Sequence, residues 1–125
     1  MELTTFFKSV IDQDKAPVVL CDTEHTVLYM NPAAKKRYEN RGGADLIGNS
    51  LLKCHNPETC RILNRVLEWF AADPEHNIIY ESRNDKENKD VYMVALRDDE
   101  GKLVGYYEKH EYRNRETAKL YDFGE

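Results

Sequence analysis

The stretch Lys89–Tyr112, KDVYMVALRDDEGKLVGYYEKHEY, reads as two long strands joined by a tight turn, and such a hairpin demands a sheet with other elements packed on it. In the first arm Val91, Met93 and Ala95 alternate with Tyr92, Val94 and Leu96, so both faces carry apolar or aromatic groups. Asp98, Asp99, Glu100 and Gly101 supply the turn. Gly101 fits there because a loop of this length needs one residue in the left-handed region, which a residue without Cβ enters cheaply. Strict alternation along the return arm places Val104, Tyr106, Glu108 and His110 on one face and Leu103, Gly105, Tyr107, Lys109 and Glu111 on the other. If Val104 and Tyr106 look into the core, Glu108 and His110 point toward a pocket, and a carboxylate and an imidazole held there need partners.

A chain of 125 residues, 41% of them apolar, has the length and material for one domain around one core. The net charge of −5 is made of dispersed, mixed-sign residues. No basic stripe interleaved with aromatics is present, which argues against nucleic-acid binding. No apolar run approaches the ~18 residues that span a bilayer, and MELTTFFKSVIDQD lacks the basic start and apolar stretch of a secretion signal. The expectation is a cytoplasmic protein with no membrane association. Cys21, Cys54 and Cys60 form no CxxC pair, so they are expected to be reduced thiols.

Leu3, Phe6, Phe7, Val10 and Ile11 make one apolar stripe on a short amphipathic helix over residues 1–13. That helix packs either on its own sheet or on a second copy to make a homodimer. APVVLC (16–21) and TVLYM (26–30) read as paired strands with Asp22–His25 between them. Asn31 and Pro32 open a helix through AAKKRYEN that Gly42 and Gly43 close. ADLIGNSLL supplies brief helical turns. Asn56 and Pro57 repeat the cap-then-proline pattern, and Ile62, Leu63, Val66, Leu67, Trp69 and Phe70 make the next helix the principal packing helix. NIIYESR (77–83) is a strand and NDKEN a charged loop back to the hairpin; residues 114–125 form a polar tail.

Two strands, a run of short helices, one longer helix and three strands is the order of a PAS domain. VVLCDTEHTVLYMNPAAKKRY is similar to that family's opening, ADLIGNSL resembles its short Leu-Ile-Gly element, and RDDEGKLVGYYEKHEYR resembles its closing hairpin. The resemblance runs from about Asp14 to Arg113. It departs from the family pattern at Glu24 and His25, where the first turn often carries Gly, and at Lys109-His110-Glu111-Tyr112, where an Asp-Ile-Thr-like junction is common. The resemblance implies an α/β (α+β) fold: a five-stranded antiparallel sheet with short helices and one longer helix packed on one face. The implied domain is 14–113, with residues 1–13 as a dimerisation element.

The resemblance also implies a pocket between the sheet and the helices, able to hold haem, flavin, a small metabolite or nothing. Cys54 and His55 precede the long helix in a Cys-His-Asn-Pro run that resembles a Cys-His-x-Pro element of some PAS-like domains linked to haem. Imidazole and thiolate both suit haem iron. Covalent haem is excluded by the lack of CxxCH, and nothing matches the reactive-cysteine element of flavin photosensors. The expected ligand contacts are Cys54, His55, Tyr106, Glu108 and His110, with Leu63, Val66, Leu67, Tyr80 and Tyr92 as pocket wall; no metal or catalytic site is assigned. Plainer readings stand beside these. Cys54 serves as a small buried hydrophobe, His55 as a loop hydrogen-bonding group, Glu108 and His110 as surface groups paired with the neighbours of Lys109 or with Arg113 across the sheet, and His25 and His76 as solvated turn residues.

The functional expectation is a PAS-like sensory domain, not an enzyme, that binds a small molecule or cofactor, haem among them. It would signal through protein–protein contact with a homodimeric copy or a separate signalling partner. Two alternatives stay open: a ligand-free adaptor, and a small enzyme using Glu108 and a histidine as acid and base.

Overall fold

The computed structural model describes residues 1–124, the side chain of Cys54 excepted. Helix α1 (Leu3–Gln13) has the expected apolar stripe and buries none of it: Leu3, Phe6, Phe7 and Val10 are each more than half exposed. Strands β1 (Val19–Asp22) and β2 (Val27–Met30) pair antiparallel. Their turn is held by Asp22, whose Oδ1 accepts from the backbone N–H groups of Glu24 and Thr26, both at 2.9 Å. The left-handed position, where glycine is commonest, is taken by His25 at φ 66°.

Asn31 caps helix α2 (Pro32–Arg37) and does more besides. It is fully buried, and its Oδ1 accepts from Ala34 N and Val18 N at 2.9 Å while its Nδ2 donates to the carbonyls of Ile11 and Ala16 at 3.0 Å. One amide side chain therefore ties the end of α1, the approach to β1 and the start of α2, with its donors and acceptor all used. The helix expected through Asn40 ends at Arg37. Residues 39–41 and 43–46 tighten into 3₁₀ turns on either side of Gly42, which sits at φ 116°. A further 3₁₀ turn (Leu51–Cys54) leads to helix α3 (Pro57–Ala72), capped by Asn56 Oδ1 accepting from Thr59 N at 2.8 Å. Leu63, Val66, Leu67 and Phe70 form its buried face.

Strands β3 (Ile78–Asn84), β4 (Lys89–Arg97) and β5 (Leu103–Tyr112) complete a five-stranded, wholly antiparallel sheet in the order β2-β1-β5-β4-β3. The α+β architecture is the expected one, and the hairpin lies at its centre. Residues 114–124 form no helix or strand.

Two bulges break the alternation on which side-chain faces were first read. On β5 the pairing steps from Leu96–Gly105 to Arg97–Leu103, leaving Val104 as an extra residue. Leu103 therefore packs on the core and Val104 is exposed, the reverse of what strict alternation requires for that pair. On β3 the step from Tyr80–Tyr92 to Ser82–Val91 leaves Glu81 as the extra residue. The core lies between the inner sheet face and the helices, built from Cys21, Val27, Met30, Met93 and Tyr106 against Ala34 and the buried face of α3.

Candidate functional site

A cavity of about 210 Å³ opens between the inner faces of β1, β2 and β5 and the turns that follow α2. Val19, Cys21, Val27, Met30, Leu46 and Leu51 give it an apolar lining, and Arg37, Tyr38, Arg41, Ser50, His55, Tyr106 and Glu108 converge on it. An apolar hollow with a few convergent polar groups is the usual form of a small-molecule site. Of the residues expected from sequence, His55, Tyr106 and Glu108 meet here. His110 stands one step behind: its Nε2 lies 3.4 Å from Glu108 Oε1, and its ring is buried, with Nδ1 lacking a hydrogen-bond partner among the described residues. The side chain of Cys54 lies outside the described residues.

The expected pocket wall is placed differently. Leu63, Val66 and Leu67 are buried in the core beside the cavity and do not line it. Tyr80 and Tyr92 stack at 5.3 Å on the opposite face of the sheet, because Ile79 and Met93, their neighbours in the chain, take the inner face. Tyr80 is 55% exposed and donates its hydroxyl to Asp90 at 2.5 Å.

Two groups behind the cavity lining, Glu81 against Glu108 and His25 against Tyr106, were not legible in the sequence. Glu81 belongs to the bulge of β3, which brings its carboxyl against that of Glu108 although part of the residue stays exposed. Burial first, and then the neighbouring Glu108 charge, hold the Glu81 carboxyl well above the usual carboxylate range. For Glu108 burial pushes the same way, but hydrogen bonding to His110 and Glu81 and the nearby imidazoles of His110 and His55 outweigh it and keep this carboxyl below its ordinary value. Of the two carboxyls, Glu81 is thus the one that keeps a proton to higher pH and Glu108 the one that ionises first.

His25 is a second correction. It was expected to be solvated, yet it is 3% exposed. Asn64 Oδ1, which can only accept, lies 2.8 Å from His25 Nε2, so that nitrogen carries the proton and Nδ1 accepts from the Tyr106 hydroxyl at 2.8 Å. The backbone carbonyl of His25 also accepts from Leu51 N at 2.7 Å. One turn residue thereby joins a cavity wall on β5, a cavity wall beside α3, and α3 itself. His76 likewise is not free in solvent: it stacks on Trp69 at 3.8 Å and donates Nδ1–H to the Trp69 carbonyl at 2.7 Å.

Arg37 closes one side of the cavity through a bidentate pair with Glu87 at 2.6 and 2.9 Å, linking α2 to the β3–β4 loop. That guanidinium holds the Glu87 carboxyl down at about 2. Cys21 is no nucleophile, since burial pushes its thiol up to about 11. Burial, with the Cys21 thiol beside it, likewise raises the Tyr106 phenol. Among the described residues no group of three or more His, Cys, Asp or Glu side chains is placed to hold a metal ion, and no helix is long and apolar enough to cross a membrane.

The model of the PAS fold matches residues 11–109, from the end of α1 through most of β5. The chain belongs to the PAS fold family. Among solved structures, this PAS chain is similar to the PAS domain of BvgS from Bordetella pertussis, at 21% identity and a TM-score of 0.60 over 90% of this chain and 87% of that one. A PAS domain from Colwellia psychrerythraea is similar at 13% identity and a TM-score of 0.63, over 89% of this chain and 97% of that one. The Aer2 receptor of Vibrio cholerae, described as a dual PAS-heme oxygen sensor, gives 17% identity and a TM-score of 0.54 over 75% and 90%. At these identities the likeness is one of fold. No curated protein is significantly similar to the chain.

The cavity of this PAS domain does not fit haem as it stands. Its volume of about 210 Å³ falls below the ~300–1,000 Å³ of sites for drug-sized ligands, which a porphyrin exceeds in size. The imidazole of His110 faces Glu108 and does not line the cavity. His55, which does line it, sits exposed.

Proposed function

We propose that this PAS domain is a sensory module that holds a small organic molecule in the cavity behind β5 and reports its presence through the outer face of the sheet to another protein. The observation that carries this reading is the double use of one strand. Tyr106 and Glu108 of β5 line the inner cavity, while Tyr107 and Lys109, which alternate with them, line a hollow of about 350 Å³ on the other side with Leu20, Leu96 and the end of α1. A ligand that shifts Glu108 therefore moves the backbone on which the outer surface is built, and occupancy shifts the population of two sheet arrangements. The exposed stripe of α1 continues that outer surface, and a second copy of the chain is the partner it suits.

The size of the cavity favours a small metabolite over haem. The enzyme alternative is weaker, because the Glu108–His110 pair presents only its carboxylate to the cavity. The test is mass spectrometry of the purified full chain under native and denaturing conditions, together with an absorption spectrum. A colourless bound species smaller than haem, retained by the wild type and lost in Leu51→Trp, is the expected result. A haem spectrum, or a species that Leu51→Trp holds equally well, overturns the assignment of this cavity.

A further inference from the structure

We propose that the molecule held in this cavity is a small organic cation, an amine or amidine with an apolar body, seated with its N–H groups on the Glu108 carboxylate. This deepens the sensory reading above and rests on it.

Glu108 is the one carboxylate among the described residues that line the cavity. Its side chain is 34% exposed. An ionised carboxylate only accepts, and one held out of water needs a cationic donor or several neutral ones. Two strong cations of the neighbourhood, Arg37 and Lys89, stand against Glu87, and the buried Lys89 Nζ has no hydrogen-bond partner among the described residues. Arg37 is spent on Glu87 in a bidentate pair. Lys89, buried on β4, has its Nζ 3.4 Å from Glu87 and 5.4 Å from the centre of the Tyr112 ring. His110 offers Glu108 one ring nitrogen, at 3.4 Å. Behind Glu108 the bulge of β3 sets a second carboxyl, Glu81, in place of a positive group.

The Arg41 guanidinium and the His55 imidazole also line the cavity, and both residues are exposed. Solvent screens their effect on a cation, and it screens the attraction of the less exposed Glu108 carboxylate less. The remaining walls say what the body of the ligand is. Val19, Val27, Met30 and Leu46 present hydrocarbon, and Tyr38 and Tyr106 add aromatic rings to the same lining, with the Arg37 guanidinium 5.7 Å from the Tyr38 ring centre. A volume of about 210 Å³ suits one ring or a short branched chain.

The test uses three probes of nearly equal shape and different charge: benzylamine, benzyl alcohol and benzoate. Each is titrated into the full chain and followed by the amide resonances of Val27, Leu51 and Tyr106. The expected result is that benzylamine shifts these resonances with at least about tenfold higher affinity than either other probe, a difference of about 1.4 kcal/mol. Glu108→Gln removes that preference while benzyl alcohol still binds; Glu81→Gln, which leaves one carboxylate in place, keeps it. Equal or tighter binding of benzyl alcohol or benzoate, or a preference that survives Glu108→Gln, overturns the cationic class and leaves the cavity reading standing. If none of the three shifts the cavity resonances, the cationic class is overturned as well. The cavity reading is then judged independently by the co-purified mass and its response to Leu51→Trp.

Discussion

Gly105 runs so close to Cys21 that a Cβ on it would lie 2.1 Å from the Cys21 carbonyl oxygen. The two strands concerned, β1 and β5, carry Cys21 and Tyr106 as register partners, and both side chains line the cavity. The obstacle is backbone on both sides, so no side-chain rotation relieves it. Gly105→Ala is expected to force the strands apart and lower stability by about 2–4 kcal/mol, in the range of overpacking and strand disruption. Urea unfolding with an unchanged slope and a lower midpoint is the readout. A wild-type midpoint would contradict the described closeness of β1 and β5.

The hydrogen-bonded chain Tyr106–His25–Asn64 predicts non-additive mutations. Tyr106→Phe leaves His25 Nδ1 buried and unpaired, and His25→Ala leaves the Tyr106 hydroxyl so; each is expected to cost about 1–3 kcal/mol. Because the two residues share one bond, the double variant should cost less than the sum by at least about 0.5 kcal/mol. Strict additivity in chemical denaturation would show that the bond does not form.

What the sequence disclosed and what it hid divide along physical lines. The hairpin was readable because β4 and β5 are long and their turn has both an Asp and a Gly: Asp98 Oδ1 accepts from Glu100 N and Lys102 N at 2.9 Å, and Gly101 takes φ 84°. The caps Asn31 and Asn56 were readable because each stands directly before a proline. The bulges at Glu81 and Val104 were not, since an extra residue leaves no mark in composition and only the pairing of distant strands places it. The place of Glu81 against Glu108 depended on that. Tyr106, Glu108 and His55 were reached from the sequence, but Glu81 was unseen and Tyr80 was set on the wrong face. His25 went unrecognised for a related reason: its burial depends on Tyr106 and Asn64, residues far along the chain.

Glu81 makes stability depend on pH with a definite sign. Its carboxyl is raised from 4.5 to about 8, so the folded state holds a proton that the unfolded state has already released. The contribution is fully present below the unfolded value and is lost as pH rises through about 8. Across that window Glu108, whose carboxyl is lowered, stays ionised and adds no slope. The melting temperature of the wild type should therefore fall relative to that of Glu81→Gln between about pH 4.5 and pH 8. Parallel curves for the two proteins would remove the carboxyl pair.

Arg97 fastens the end of α3 to the hairpin. One terminal nitrogen donates to the carbonyls of Phe70 at 2.7 Å, His76 at 3.0 Å and Asp73 at 3.2 Å, while Nε reaches Asn77 Oδ1 at 2.7 Å and the other nitrogen Gly101 O at 3.0 Å. Those carbonyls include the free C-terminal acceptors of α3. Lysine keeps the charge and loses the fork. Arg97→Lys is expected to cost about 1.5–3 kcal/mol, with faster amide exchange in the last turn of α3; unchanged exchange there would deny Arg97 this role.

The apolar stripe of α1 bears on association. Asn31 and Asp12 hold the last turn of the helix to the domain, the first through Ile11 O and the second through the Tyr29 hydroxyl, while Phe6 and Phe7 stay 55% and 59% exposed. Their replacement should thus leave the fold of one copy intact. If the stripe pairs with a second copy, two phenylalanines per chain leave water on association, each worth about 1.5–3 kcal/mol when fully covered. Phe6→Ser combined with Phe7→Ser should then weaken a dimer by at least about a hundredfold without lowering the melting temperature of the monomer. Sedimentation velocity over a concentration series reads this directly. A dimer that survives the double change would move the interface away from α1, and a wild type that is monomeric throughout would leave the outer face of the sheet to a different protein.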